Sequence, residues 1–257
     1  SKSLENPFPK TQINDLIIED QGHYRVMNFM VNPMNDGSTS FYHNSIGGYH
    51  AAKPRRYQEL FDFQIANNNV EVLNMLNAKY FIFPDQNNTP QVQINEDSNG
   101  NAWFVNKVKF VDSANEEIIS LDSLKTKEMA VVRREFESLM GPLTTELDST
   151  ATIELTAYAP NKLAYKTYSK KDQLVVFSEI YYQNGWNAYI DGELQPHFRA
   201  NYVLRAIMIP AGNHTILFQF SYPLFSRLSK RIQMLKAIHC LPNIHRNHGL
   251  RFLQQHR

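Results

Sequence analysis

The chain has 257 residues, 42% of them apolar, with 26 basic against 25 acidic side chains. Domains usually run to ~100–200 residues, so this length implies one large or two medium domains with true cores. A formal charge of +1 excludes the global basic field of a nucleic-acid binder, and the lone Cys240 excludes an internal disulfide and a CxxC zinc pattern.

Thirteen Tyr and sixteen Phe suit sheet faces and sugar-facing surfaces. The start Ser1-Lys2-Ser3-Leu4-Glu5 has no apolar leader and reads as an internal cut. No run of ~18 apolar residues is present to span a bilayer.

The polar stretch 1–22 holds Pro7, Pro9 and one apolar patch, Leu16-Ile17-Ile18. Tyr24 to Met30 alternates as a strand does. Residues 31–52 read as a long loop, and the rings of Phe41, Tyr42, Tyr49 and Tyr57 argue against disorder there. A helix is predicted from Pro54, with Tyr57, Leu60, Phe61 and Ile65 on one face. Asn67-Asn68-Asn69 breaks it and supplies a cap for the next helix, which carries Val70, Leu73 and Leu76. Lys79 to Phe83 is a short buried strand ended by Pro84. Residues 85–101 read as an exposed loop or ragged hairpin.

Strands are expected over 102–105 and 108–111, then a helix opened by Ser113 and Glu116-Glu117, then a strand over 129–132. The polar stretch 137–150, with Gly141-Pro142, is the linker candidate. From Ala151 the period is two, with six or seven strands at ~8–12-residue spacing up to Phe220 and hairpin turns at Asp191-Gly192 and Ala211-Gly212-Asn213. After Tyr222-Pro223, Leu224, Leu228, Ile232, Leu235 and Ile238 with interleaved basic residues describe an amphipathic helix.

The fold class is therefore α+β. A mixed α/β unit over 1–136 and a linker over 137–150 precede an antiparallel β-sandwich over 151–222, of jelly-roll or carbohydrate-binding-module type. A basic amphipathic helix and irregular tail occupy 223–257.

One constellation stands out: Tyr42, His43, Gly47-Gly48, Tyr49, His50, Lys53, Arg55, Arg56 and Tyr57. Paired glycines permit close approach or positive φ, and cations at a helix start favour a phosphate or other anion. The tyrosines suit stacking on a sugar. The plainer account is a tight turn with solvated charges, the rings packing the loop down. No GK[ST] follows the glycines, so this is no Walker loop. His43 and His50 lack nearby carboxylates or thiols, so no metal is assigned, and no cofactor is implied.

A second group in the sandwich comprises Glu179, Tyr181, Tyr182, Trp186, Tyr189, Asp191, His197, Arg199 and Asn201. Core and turn duties explain it better than a ligand site. A glycoside hydrolase using Glu179 and Asp191 would need one carboxyl raised in pKa and a set separation. No GxSxG elbow occurs, and no catalytic residue is assigned.

The run Ser40 to Lys53 (SFYHNSIGGYHAAK) with Arg55-Arg56-Tyr57-Gln58 resembles the hallmark segment of YfhO-like bacterial membrane proteins in their Bacteroidetes form. Similar stretches are Val72–Tyr80, Gly100–Val105, Phe177–Tyr182 through Gly185-Trp186 to Gly192, Asn201–Ala206 and Ile209–Gly212. The resemblance covers about residues 10–222. It implies a multi-spanning glycosyltransferase with a lipid-linked donor, whose acidic catalytic residues lie in the membrane part, outside this segment.

This region is then an accessory one on the extracytoplasmic face of the inner membrane. Its expected partners are its own transmembrane portion, a glycan or polyprenyl-phosphate sugar, and the membrane surface, with no nucleic acid. A structural or partner-docking domain without ligand is the alternative. The family resemblance also implies a closing transmembrane helix, for which residues 224–257 are too charged.

Overall fold

The computed structural model describes residues 7–49, 52–141 and 148–221. Helix α1 (Gln12–Glu19) precedes strand β1 (Arg25–Asn28), and α2 (Ser38–Tyr42) lies in the long segment after it. Helix α3 (Arg55–Leu60) continues as a π-helical turn over Phe61–Ile65, and α4 (Val70–Met75) leads into β2 (Ala78–Pro84) and β3 (Pro90–Ile94). Strands β4 (Ala102–Val105) and β5 (Lys107–Val111), helix α5 (Ala114–Ile119) and β6 (Met129–Arg133) follow. The remaining strands are β7 (Thr152–Ala159), β8 (Lys162–Ser169), β9 (Gln173–Ile180), β10 (Trp186–Ile190), β11 (Glu193–Gln195), β12 (Phe198–Ala200), β13 (Leu204–Ile209) and β14 (Gly212–Phe220).

Three sheets result, in the orders β1-β2-β3, β11-β10-β14-β8-β7 and β4-β9-β13-β12-β6-β5. The class is α+β with sandwich-like sheets. Strand β9 shows why. Its run Leu174-Val175-Val176-Phe177 has no exposed side, as expected of a strand covered on both faces. Val175 and Phe177 meet Leu163 and Tyr165 of β8 and Ile216 and Phe218 of β14, so one core lies between the five- and six-stranded sheets. Leu174 and Val176 point the other way, into a core shared with Leu60, Leu73, Leu76 and Ile118 of the helical segments. Phe177 and Phe218 meet edge-to-face at 4.9 Å. Each such buried side chain contributes ~1.5–3 kcal/mol.

Strands β4, β5 and β6 sit in the same hydrogen-bonded sheet as β9, β12 and β13. The boundary at 137–150 therefore does not coincide with a break in strand pairing. Of that stretch, 142–147 lies outside the described residues, as does the amphipathic helix expected after Pro223. The described residues up to Phe220 form one compact unit.

Several local features differ from the sequence expectation. The polar stretch 1–22 contains helix α1, capped by Thr11, whose hydroxyl accepts from Asn14 N at 3.4 Å. Only Ile17 is fully buried there, in a small core with Tyr24, Val26, Tyr80 and Ile82, so the helical period was too weak to read. Asn69 stands at the N-cap of α4 without a side-chain cap; its amide donates to Gln64 and to the Leu121 carbonyl instead. Strand β13 starts only at Leu204, because Asn201 and Tyr202 take positive φ values of 48° and 71°. Asp191 and Gly192, at 52° and 89°, make the tight turn expected of them.

Candidate functional site

The segment from Gly37 to Tyr57 is fixed by inward bonds. Asn44 to Ile46 runs beside β1: Val26 N donates to Asn44 O at 2.8 Å, and Ile46 N donates to Val26 O at 3.0 Å. Ile46 then enters the core. Asn28 Nδ2 donates to Thr39 Oγ1, tying α2 to the same strand. The glycine pair serves close approach: a Cβ on Gly47 would stand 1.8 Å from the Pro33 carbonyl oxygen, and Gly48 donates to that oxygen from a φ of +128°.

Most of the expected site residues spend their polar atoms inside this frame. Tyr42 donates to Phe8 O at 2.7 Å and Tyr57 to Ile46 O at 2.5 Å. Burial pushes the Tyr57 phenol up. His43 Nε2 is 2.9 Å from Asn14 Oδ1, and burial, then Lys10, lowers its pKa, so the ring is held neutral. Lys53 donates to Met34 O at 2.7 Å. Arg55 reaches only Glu59, at 2.8 Å, and is almost wholly exposed. Tyr49 is 75% exposed. His50 lies outside the described residues. Tyr49 and Arg55 therefore face solvent, whereas the polar groups of Tyr42, His43 and Tyr57 are turned inward.

Arg56 points elsewhere. Its Nη1 lies 3.0 Å from Oε2 of the fully buried Glu117 and 3.3 Å from Tyr202 O, and its guanidinium sits over the Tyr202 ring at 4.5 Å. Glu117 also accepts from Tyr202 N, and Arg199 approaches to 3.9 Å. Burial raises the Glu117 pKa against the pull of Arg199 and Arg56. Tyr202 donates to Glu59 at 2.6 Å, closing a chain from Arg55 to the six-stranded sheet.

Sequence reasoning missed Glu117 and Tyr202 as partners of Arg56, since they are 61 and 146 residues away, and passed over Glu59, although its i,i+4 spacing from Arg55 was a readable signal. The Ser-x-x-Glu start of α5 accounted for Glu116 and left Glu117 looking like a solvated neighbour. Its signal was a charged residue adjoining Ile118 on the buried side.

Three pockets among the described residues border this segment. One of about 210 Å³ is lined by Met34, Gly47, Gly48, Lys53, Pro54 and Tyr57. A second, of about 430 Å³, lies along Ser40–Asn44 and Asp20–Gly22, and a third, of about 220 Å³, touches Tyr42, Thr39 and Phe8.

The sandwich group behaves differently. Glu179 pairs with His23 Nε2 at 3.0 Å and lies 4.0 Å from Arg25. Burial alone would raise the Glu179 pKa; the His23 bond, with Arg25 and Arg205, outweighs it and leaves it lowered. Asp191 accepts from Thr215 N and sits 2.6 Å from His214 Nδ1, and these two contacts lower its pKa as well. Neither carboxyl has the raised pKa that the hydrolase reading needs. Trp186 packs at the edge of the inter-sheet core, beneath Arg205 at 4.0 Å. No grouping of metal-ligating side chains occurs among the described residues.

The model of the bacterial membrane protein family YfhO matches residues 28–229. The chain belongs to the YfhO family. The match includes the glycine pair, the arginines and both large sheets. No curated protein and no solved structure shows a significant match. YfhO proteins are bacterial membrane proteins, yet no helix among the described residues here is long and apolar enough to cross a membrane.

Proposed function

We propose that this chain is the extracytoplasmic accessory region of a membrane-embedded glycosyltransferase that uses a lipid-linked sugar. Its work is to bind or present envelope glycan at the periplasmic face of the inner membrane. The observation that carries the reading is the 37–57 segment. Its described backbone from Asn44 to Gly48 is held by inward bonds, while Tyr49 and Arg55 are exposed, and Gly47-Gly48 and Lys53 line a pocket. An aromatic ring and a cation carried on a fixed segment suit a sugar carrying a phosphate. Family membership supports the membrane setting. The partners are the protein's own transmembrane part, the glycan or polyprenyl-phosphate sugar, and the bilayer surface.

A bracing role without ligand is the second reading. It is favoured by Arg56, which is spent on Glu117. The test compares binding of the 257-residue chain to a glycan array and to vesicles containing polyprenyl phosphate, for wild type and Tyr49→Ala/Arg55→Ala. Both positions are exposed, so the fold persists, and circular dichroism checks it. Loss of binding in the variant supports the ligand reading. Binding that is undiminished in the variant removes the 37–57 segment as the site, and binding absent from the wild type leaves the bracing role.

A further inference from the structure

The π-helical turn Phe61–Ile65 presents Phe63 to solvent, 61% exposed. Two concavities, of about 770 and 380 Å³, share Phe63, Gln64 and Asp122 as lining. A large aromatic ring standing between two hollows is costly to leave in water.

The larger hollow is otherwise lined mainly by amides and carboxylates, with Val70 and Lys125; the smaller also carries Ile118, Ile119 and Tyr202. Gln64 is buried and donates to Asp122 Oδ1 at 2.7 Å and to Ile118 O at 2.8 Å, while its own oxygen accepts from Asn69 at 2.7 Å. The floor is therefore rigid. At the rim, Asn68 and Asp97 are exposed, and among the described residues their side chains have no partner. The single cation of the larger hollow, Lys125, is paired with Glu71 at 3.1 Å. Nothing here neutralises a phosphate, and Asp97 and Asp122 repel one.

We propose that the hollows around Phe63 bind an uncharged saccharide. The Phe63 ring would take the apolar C–H face of a sugar ring. The Asn68 amide and the Asp97 carboxylate would take its hydroxyls, an amide offering both donor and acceptor and a carboxylate two acceptors. The site is distinct from the 37–57 segment in residues and in charge, and the inference does not depend on that segment binding anything.

The test titrates the 257-residue chain calorimetrically with trisaccharides of glucose and of N-acetylglucosamine, and with inorganic phosphate. Saturable binding of at least one trisaccharide is expected. Phe63→Ala should weaken it about tenfold, the loss of one aromatic stacking surface. Phe63→Trp should retain it, Asp97→Ala should weaken it severalfold, and Leu194→Ala, at an exposed position of β11, should leave it unchanged. Phosphate should not compete. The proposal is overturned if no trisaccharide binds, or if binding survives both Phe63→Ala and Asp97→Ala. Loss of binding only in Tyr49→Ala/Arg55→Ala overturns it too and assigns the sugar to the 37–57 segment.

Discussion

Arg56 and Glu117 form an ion pair at 3.0 Å in which the carboxylate has no exposed surface. They come from separate helices, α3 and α5, and their contact pins the residues after Lys53 to the six-stranded sheet through Tyr202. Removing one member of such a pair strands the other in a low-dielectric site, whereas replacing both with apolar groups does not.

Arg56→Ala should therefore destabilise the chain by ~3 kcal/mol, at the low end for a broken buried pair because Arg199 stays nearby. The check is the midpoint of urea unfolding. A double variant, Arg56→Met/Glu117→Leu, should recover most of the loss. If the two single variants instead cost little, the pair is not what holds α3 in place.

The glycine pair separates two kinds of constraint. Gly47→Ala brings Cβ against the Pro33 carbonyl, which is backbone and cannot swing aside. Gly48→Ala meets only Ser40, at 3.5 Å, and pays for positive φ instead. A left-handed conformation costs an L-residue ~1–2 kcal/mol. Gly47→Ala should exceed that figure and lower the melting temperature more than Gly48→Ala does. Equal losses would mean that the Pro33 contact relaxes freely.

The places of β8, β9 and β14 and the tight turn at Asp191-Gly192 were readable, because these strands follow a period of two or an unbroken apolar run; the order in which the strands pair was not. Helix α1 was not, since its buried face amounts to Ile17 and its neighbours. The site was readable as a concentration of residue types over 42–57 and not as a geometry. Nothing near Arg56 in sequence indicates Glu117, and nothing in Tyr57 indicates that its hydroxyl is taken by Ile46. Contacts across 61 or 146 residues have no local period to carry them.

Acid pH should act on His197. Burial, then Arg205, holds its pKa down to about 4 against an ordinary 6.5. The unfolded chain binds this proton first, so the contribution of neutral His197 is intact above 6.5 and falls away as the pH drops towards 4. Unfolding midpoints measured between pH 7 and 4 should decline. His197→Phe should flatten that decline, and an unchanged slope in the variant would assign it to other groups.

The opposite sign holds at the turn between β10 and β11, where Asp191 meets His214 of β14. His214 Nδ1 lies 2.6 Å from Asp191 Oδ2, and that bond raises the imidazole above its ordinary 6.5. Thr215 N, followed by His214, lowers the Asp191 carboxyl below 3.8. A raised histidine stabilises fully below the unfolded value and loses its effect as pH climbs through the folded one. A lowered aspartate stabilises above its unfolded value and loses its effect as pH falls through the folded one. The turn is thus firmest between roughly pH 4 and 6.5. Proton NMR titration of His214 should give a pKa above 6.5 in the wild type, returning towards that value in Asp191→Asn. Because Asp191 is half exposed, added salt should shrink the shift without abolishing it. A titration of His214 indifferent to Asp191→Asn would show that the bond from Asp191 does not govern the ring, and the pH window for the turn would vanish with it.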